Sequence, residues 1–572
     1  MANFFLDNAS LKYHLRHNLM KRIVELKERS FIDKNRFDYA PVDFEDAMDS
    51  YEMVMEIVGD IMANVVATNA ADVDRLGSRV DNGRVQYASG TSRNLQIVTK
   101  AGLMGLSMPR RFGGLNFPMV TFIMASDMAA RADAGFCNLW ALQDCIITLY
   151  EFGNEQQHNQ FIPRVCCGET LSMDLTEPDA GSDLQAVMLK AVYDEKENCW
   201  RLNGVKRFIT NGDADIHLVL ARSEKDTKDG RGLSMFIYDK RDGGVDVRRV
   251  EDKMGIKGSP TCELIYNNAK AQLCGERKYG LIKYVMSLMN GARLGIMAQA
   301  TGISEAAYRE AVIYAKERKQ FGKTITEFPA VYEMIANIKA KLDASRSILY
   351  ETARFVDMYK ILEEIAKERM LNNTEKLELK KYKKLADAFT PLGKAMNTEY
   401  ANQNTYDCIQ IHGGSGFMRD YVCERLYRDA RITNIYEGTT QLQIVAAIRH
   451  VLTNTYLNAV KEYQEVPLIS KLDNFGQKLL RLVEIYKQLV EKVASTRNTE
   501  YIDFQSRRLV ECAWYIVSGY LLLIDANKNF NEFGCSAVVY INYGESEVKK
   551  IQNLIDTFNI ENLKFYKFNC DN

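Results

Sequence analysis

AVYDEKENCWRLNGVKRFITNG, residues 191–212, decides the class of fold, because apolar and polar residues alternate in it between turn-forming Gly, Asp and Asn. Alternation with period two over short runs separated by turns predicts antiparallel strands in a barrel or a sandwich. We therefore predict a middle β domain over 169–275. Four further runs of this kind lie in it: HLVLARS (217–223), LSMFIYDK (233–240), VDVRRV (245–250) and CELIYNNA (262–269).

Helical spacing flanks this β region on both sides. In FEDAMDSYEMVMEIVGDIMANVVA (44–67) apolar residues recur every three or four positions, and the stretches from 286 to 322 and from 331 to 363 show the same pattern. Such spacing is typical of helices that bury one face. The predicted fold is therefore multidomain α+β, with an N-terminal helical domain over 1–168 and a C-terminal helical bundle over 276–452.

The last 120 residues, counted from position 453, form a further predicted domain. LISKLDNFGQKLLRLVEIYKQLVEKVAS (468–495) carries heptad-like apolar spacing, which indicates a helical hairpin or bundle. CSAVVYINYG (535–544) fits a strand and a buried helix about equally well. We predict an additional, mainly helical domain over 453–572.

Composition excludes several classes of function. A chain of 572 residues predicts two to four domains, and its 74 basic and 75 acidic side chains favour neither nucleic acid nor an anionic membrane as partner. The 12 cysteines include no CxxC pair and the six histidines form no cluster with ligand spacing, so free thiols and no metal site are expected. Without a signal peptide or a run of about 18 apolar residues, we predict a cytoplasmic protein.

Three constellations carry candidate chemistry. MDLTEPDAGSDL (173–184) can offer hydroxyls and backbone amides to a polar ring or a phosphate, but it is equally consistent with a plain strand–turn–strand corner. KRFITNGDAD (206–215) pairs an aromatic ring with a hydroxyl, as a flat cofactor requires, or is an ordinary half-buried strand. In the third, 411–443, a GGSG turn precedes Glu437, which is either a helix cap or a base with a pKa raised by an apolar pocket.

The order of five motifs resembles that of the acyl-CoA dehydrogenase family, from about residue 80 to 452. The motifs are MDLTEPDAGSD (173–183), RFITNG (207–212), ERKQFG (317–322), QIHGGSGF (410–417) and RDARITNIYEGTTQLQ (428–443). ADVDRLGSRVDNGRVQY (71–87) and EDKMGIKGSPTCELIY (251–266) are similar to a longer branch, which includes methylthiopropionyl-CoA dehydrogenase-like enzymes and has an extra C-terminal domain. The resemblance implies an N-terminal helical domain, a middle β-barrel, a C-terminal four-helix bundle and that extra domain.

The resemblance also implies a reaction. Glu437 would remove the α-proton of an acyl-CoA thioester while flavin N5 of FAD takes the β-hydride, which gives a trans-2-enoyl-CoA and later passes electrons to electron-transfer flavoprotein. Some branches place the base at the position of Ala292, and alanine cannot act as one, which strengthens the prediction for Glu437.

The remaining implied roles concern binding. Substrate contacts fall on Ser182, Asn290, Arg293, Tyr436 and Gly438. Residues expected around FAD in the same subunit are Met173, Leu175, Thr176, Ser182, Phe208, Ile209 and Thr210, with Phe208 where the family often has Trp. Residues expected around the FAD of a neighbouring subunit are Arg318, Gln320, Phe321, Gln410, Gly413 and Gly414, with Thr439 and Gln441 after the base. A site shared between subunits implies an obligate homodimer or homotetramer.

Two alternatives share this fold. An acyl-CoA oxidase would pass electrons to O2, and the motifs do not separate it from a dehydrogenase. A flavoprotein that binds nucleic acid would need a basic surface, whereas residues 453–572 hold 14 Lys/Arg and 15 Asp/Glu. The tail is therefore expected to have a structural role.

Overall fold

The computed structural model describes residues 2–567; residues 1 and 568–572, at the outer ends of the first and fourth predicted domains, lie outside the described range. Contacts divide the chain into two compact units. The first comprises residues 2–306 and 419–433, and the second comprises 307–418 and 434–567.

The first unit begins with a helical domain. Asp43 caps its longest early helix, because the Asp43 side chain accepts the N–H of Asp46 at 3.0 Å. The helices are α1 (Ala9–Leu15), α2 (Leu19–Lys27), α3 (Phe44–Ile61), α4 (Ala67–Leu76), α5 (Ser89–Lys100), α6 (Met119–Ala132), α7 (Ala134–Trp140), α8 (Cys145–Phe152) and α9 (Glu155–Cys166). A hairpin, β1 (Arg79–Asp81) and β2 (Arg84–Gln86), separates α4 from α5. Almost every residue of α6 is buried, so this helix forms the centre of the domain.

The middle domain is a closed barrel rather than a sandwich. Its strands are β3 (Leu171–Asp174), β4 (Lys190–Asp194), β5 (Cys199–Thr210), β6 (Ile216–Arg222), β7 (Leu233–Asp239), β8 (Val245–Val250) and β9 (Thr261–Cys274). They pair in the order β3-β6-β4-β5-β9-β7; β7 pairs back to β6 and closes the ring, while β8 adds to β9. All seven residues of both β6 and β7 are buried, which explains their nearly continuous apolar sequences.

Long helices build the second unit. Pro329 begins α11 (Pro329–Glu368), where its fixed φ suits a first helical position, and an Asn372–Glu375 capping box begins α12 (Asn373–His412). The other elements from residue 286 onward are α10 (Met286–Glu317), β10 (Lys319–Gln320), β11 (Lys323–Thr324), α13 (Cys423–Ala430, in the first unit), α14 (Thr440–Leu452), α15 (Thr455–Gln464), α16 (Asp473–Ser495), α17 (Thr499–Lys528) and α18 (Phe530–Thr557). The predicted order of helical, β, helical and additional helical regions is confirmed.

The additional C-terminal helices pack directly on α11 and α12 through buried polar contacts. Ser347 Oγ donates to Asp525 at 2.6 Å, and the hydroxyls of Tyr400 and Tyr540 lie 3.0 Å apart. Ser536 Oγ also donates to the buried carboxylate of Asp343. The stretch 535–544 is therefore helical within α18, which resolves the choice left open by its sequence.

Within residues 2–567, two helical stretches are long and apolar enough to cross a membrane by length and composition alone. In Thr499–Lys528, 89% of the apolar window is buried inside the protein, as in a core helix. In Phe44–Leu76 the buried share is 44%, and one face of α3 packs against α6.

Candidate active site

In the first unit, the structure brings the first two motifs together at one rim of the barrel. Met173 lies in β3, and Leu175, Thr176 and Ser182 follow after the strand. The Arg207 N–H, near the end of β5, donates to the carbonyl of Thr176 at 2.9 Å. We call residues 173–182 and 207–211 the rim segments.

A buried ion pair lies under the rim segments. Lys206 Nζ, completely buried, donates to the Leu175 carbonyl at 2.8 Å and to Glu177 Oε1 at 3.0 Å. The Glu177 carboxylate also accepts the N–H groups of Met188 and Leu189 at 2.7 and 2.9 Å. Burial lowers the pKa of Lys206, and the charge of Glu177 acts against that shift. The pair ties the turn after β3 to β5.

A second buried network starts at Asp174, the last residue of β3. Its carboxylate accepts from Ser172 Oγ at 2.8 Å and from the hydroxyl of Tyr266, and it lies 2.8 Å from His217 Nδ1. His217 Nε2 lies 3.0 Å from the Ala214 carbonyl. Burial raises the pKa of Tyr266 well above its ordinary value, so this hydroxyl is a donor. The network fixes β3 to β6 and β9.

Phe208 has the geometry of a residue that faces a ligand. Its φ is +62°, an unfavourable value for a bulky residue, and its ring is 52% exposed although it belongs to a strand. A register shift between Lys206 and Ile209 turns the ring outward, and the Arg207 guanidinium lies 4.7 Å from its centroid. With the half-buried Thr210 nearby in sequence, the rim offers an open aromatic face and a hydroxyl, which suits a flat ring system.

In the second unit, Glu437 lies in a short loop before α14. Glu437 and Gly438 both have positive φ, +53° and +88°, and the Glu437 side chain is half-buried. The Thr440 N–H closes the loop by donating to the Asn434 carbonyl at 3.0 Å, and Thr439 is the N-cap of α14. We call residues 434–440 the YEG loop. Strained backbone of this kind costs about 1–3 kcal/mol per residue and concentrates at functional sites.

Two buried side chains hold the carbonyls of the YEG loop. Lys394 Nζ, on α12, donates to the Gly438 carbonyl at 2.7 Å. Gln443 Nε2 donates to the same carbonyl at 2.9 Å and to that of Glu437 at 3.3 Å. Neither residue was among the site residues predicted from the sequence.

The other candidates of the second unit gather at the far end of α12. Gln410 is exposed there, and Gly413 and Gly414 follow in a 3₁₀ turn. Tyr314 stacks on His412 with centroids 4.2 Å apart and donates to Ser415 Oγ at 3.3 Å, which places the end of α10 beside this turn. Arg318, Gln320 and Phe321 come directly after that end, in the β10–β11 hairpin.

These residues border open space. A Cβ built on Gly413 or Gly414 meets no atom within 4 Å, so a ligand can lie against the backbone there. Phe321 is 93% exposed with φ +50°. Residues 394 and 410 are separated by about 24 Å along the axis of α12, at about 1.5 Å per residue, so this cluster is distant from the YEG loop of its own chain.

Comparison with known proteins assigns the chain. Four family models match in order: Acyl-CoA dehydrogenase, N-terminal domain (48–169), middle domain (172–269), C-terminal domain (282–452) and Acyl-CoA dehydrogenase C terminal (452–563). The acyl-CoA dehydrogenase of Bacillus subtilis is 35% identical over 62% of this chain and 88% of its own length. The chain belongs to the acyl-CoA dehydrogenase family.

One further relative and one solved structure extend the comparison. The 3-methylmercaptopropionyl-CoA dehydrogenase of Ruegeria pomeroyi is 31% identical over 71% of this chain and 70% of its own. The crystal structure of an acyl-CoA dehydrogenase complexed with FAD from Bacillus anthracis covers 91% of this chain and 90% of its own, with a TM-score of 0.74 and 23% identity, which shows a shared fold. The predicted resemblance, including the extra C-terminal domain, is confirmed.

Family membership makes the chain an FAD-dependent oxidoreductase of the acyl-CoA dehydrogenase type. The exposed Phe208 ring and the open space at Gly413 and Gly414 fit such a cofactor. Asn290 and Arg293 lie together on α10, where Arg293 Nη1 donates to Asn290 Oδ1 at 3.1 Å. Tyr436 and Gly438 flank Glu437, and the exposed Gln441 lies in the first turn of α14. The individual roles of these residues remain predictions.

A polar cavity of about 510 Å³ also opens in the barrel unit, and its cations are neutralised within the protein. Arg84 and Lys240 pair with Asp213 at 3.0 and 2.9 Å, and Arg164 pairs with Asp239 at 2.5 Å. Ion pairs within the protein therefore neutralise the cations that line this cavity, and it is not a second candidate site for the cofactor.

Proposed function

We propose that the chain catalyses α,β-dehydrogenation of an acyl-CoA thioester to the trans-2-enoyl-CoA, with Glu437 as the base that removes the α-proton. The observation that carries this proposal is the backbone of the YEG loop. A carboxylate held half-buried at positive φ, beside a carbonyl that two buried donors fix, has a defined position that an ordinary helix cap does not need.

The start of α14 supports the role of Glu437 as a base. The N-terminus of a helix carries a partial positive charge, and Glu437 lies three residues before Thr440, where α14 begins. That charge favours the ionised carboxylate, which is the form that accepts a proton. The α-proton of a thioester is a poor acid, so donors at the developing enolate oxygen must be in place before it leaves.

Two sets of residues would hold FAD, which when bound supplies the acceptor for the β-hydride. The rim segments offer Phe208 and Thr210 to a flat ring, and the turn with Thr176 and Ser182 adds hydroxyls and amides. The GGSG turn and the β10–β11 hairpin form a second set, far from the YEG loop along α12. We propose that this second set completes the site of a neighbouring copy, so that the active protein is at least a homodimer.

We propose electron-transfer flavoprotein as the acceptor of the electrons. We also propose that the protein works in the cytoplasm. Acyl-CoA oxidase is the alternative, and anaerobic turnover with an artificial acceptor distinguishes the two. Rapid reoxidation of substrate-reduced enzyme in air with release of peroxide would identify an oxidase. The branch suggests a short or substituted propionyl thioester as substrate, which a ladder of acyl-CoAs, read as flavin bleaching, tests directly.

Glu437→Gln tests the base. The variant should keep FAD and its thermal stability but lose flavin bleaching by every acyl-CoA, because an amide cannot take up the α-proton. The loss should be at least about a thousandfold in the rate of bleaching, within the usual contribution of a general base. Glu465→Gln, at the exposed C-cap of α15, provides a charge-change control outside the predicted site. Bleaching at the wild-type rate in Glu437→Gln would overturn the assignment.

A further inference from the structure

We propose that Lys394 is a positioning residue for Glu437: its buried amino group, together with the Gln443 amide, fixes the Gly438 carbonyl and so holds the turn that presents the base. The inference rests on the proposed role of Glu437.

The contact geometry singles out this lysine. Lys394 and Gln443 are both completely inaccessible to solvent, and they come from different helices, α12 and α14. Their nitrogen atoms lie 2.7 and 2.9 Å from one oxygen atom, the carbonyl of Gly438. Two buried donors on a single carbonyl fix the plane of the peptide that follows Glu437 and Gly438.

The backbone they hold needs an external constraint. A non-glycine residue in the left-handed region costs about 1–2 kcal/mol, and here Glu437 is followed by a second residue of positive φ. Glycine adopts such a value without strain, whereas the φ of Glu437 persists only where the surroundings over-determine it. Without the two donors, the peptide is free to rotate toward the right-handed region, and the carboxylate moves away from its position.

The presence of a lysine, rather than a neutral donor, adds an electrostatic argument. An amide or a hydroxyl satisfies a carbonyl, whereas burial of an ammonium group costs several kcal/mol. The chain nevertheless places a fully buried lysine against the residue that follows the base. A positive charge there favours the ionised form of Glu437, which is the form that accepts a proton. Lys394 therefore has two effects on the base, one geometric and one electrostatic.

Lys394→Met tests both effects, because methionine fills similar space without a donor or a charge. The matched control is Lys341→Met, which removes a buried lysine on α11 whose Nζ lies 5.0 Å from the ring centroid of Tyr543. We expect Lys394→Met to retain FAD, to lose roughly 10- to 100-fold in kcat at little changed KM, and to shift the acidic limb of the pH–rate profile to higher pH.

A second readout does not depend on turnover. Hydrogen exchange of amides 434–442 should be faster in Lys394→Met than in wild type, and unchanged in Lys341→Met. If Lys394→Met matches Lys341→Met in kcat, in pH profile and in exchange, the inference is overturned.

Gln443→Met keeps the test valid should Lys394→Met fail to fold. It removes the second donor to the same carbonyl but no charge, so exchange should rise and kcat should fall without a shift of the acidic limb. Unchanged exchange and kcat would contradict the geometric part of the inference. Glu437→Gln, measured in parallel, tests the base alone: retained turnover there defeats the proposed function, whereas lost turnover with an unaffected Lys394→Met defeats only the role of Lys394.

Discussion

A completely buried lysine contacts each of two segments of the molecule, the rim segments of the first unit and the YEG loop of the second. Lys206, in the barrel, pairs with the buried carboxylate of Glu177 beneath backbone that the sheet already fixes. Lys394, on α12, donates to a carbonyl of the YEG loop, in which Glu437 has an unfavourable φ. The same residue type therefore serves mainly stability where strands set the geometry, and mainly position where a loop must be held against its own preference.

The largest effect should come from the barrel lysine. Lys206→Met leaves Glu177 as a buried charge without its partner, so the free energy of unfolding should fall by about 3–5 kcal/mol, measured by denaturant titration. Lys206→Met combined with Glu177→Gln removes both charges and should recover part of that loss. If the single variant is as stable as wild type, Lys206 does not stabilise the barrel, and the contrast between the two lysines is wrong.

The free energy of unfolding should also depend on pH through Asp429. Asp429, in α13, accepts the Ile256 N–H at 2.5 Å, and burial raises the pKa of Asp429 to about 7. The folded state then binds more protons than the unfolded state between about pH 4 and pH 7, so this contribution to stability is present below about pH 4 and is lost as pH rises through 7.

Asp429→Asn removes this titration. Between pH 5 and pH 8, wild type should lose about 2–3 kcal/mol of stability relative to the variant, as measured by denaturant titration at each pH. Carboxyls with raised pKa values that do not interact with Asp429, such as Asp343, act in both proteins and cancel in the difference. The fully exposed Asp252→Asn is the control and should follow wild type at every pH. Parallel curves for wild type and Asp429→Asn would show that Asp429 is not the group responsible.

The smallest effect concerns the strained backbone of the base itself. Glu437→Gly should be more stable than Glu437→Ala by about 1 kcal/mol, since glycine adopts positive φ without a Cβ penalty. Both variants lack the base and should be inactive, so thermal unfolding gives the comparison. Equal stability would mean that a non-glycine residue at position 437 costs no free energy. The YEG loop would then need no side chain to hold it, and the contrast between the two lysines would be wrong.

Local sequence was sufficient for much of the fold and for part of the site. The alternation in 191–212 correctly predicted strands, although in β5 the polar Lys206 is buried and the aromatic Phe208 is exposed. Glu437 and Phe208 were predicted through their motifs, and both have the unusual φ values described above. By contrast, the stretch 535–544 is rich in β-branched and aromatic residues, and its helix follows from packing on α11 and α17, which no short window contains.

The supporting residues could not be predicted for the same reason. Lys206 and Glu177 are 29 residues apart, and Lys394 and Gly438 are 44 apart, so each contact exists only after long-range folding. A lysine among apolar neighbours gives no indication of which carbonyl or carboxylate it will meet. The sequence thus predicted candidate site residues but not the buried side chains that contact their backbone.

The helices after residue 453 pack on α11 and α12, and this packing determines whether they can form a separate domain. Residues 452–563 match a family model of their own, as a detachable unit would suggest. Physically it is not detachable in this chain: ending the polypeptide at 452 would strip the Ser536 hydroxyl from Asp343 and uncover the face of α11 that α17 and α18 bury. The helices after residue 453 are therefore an internal part of the bundle on which they pack.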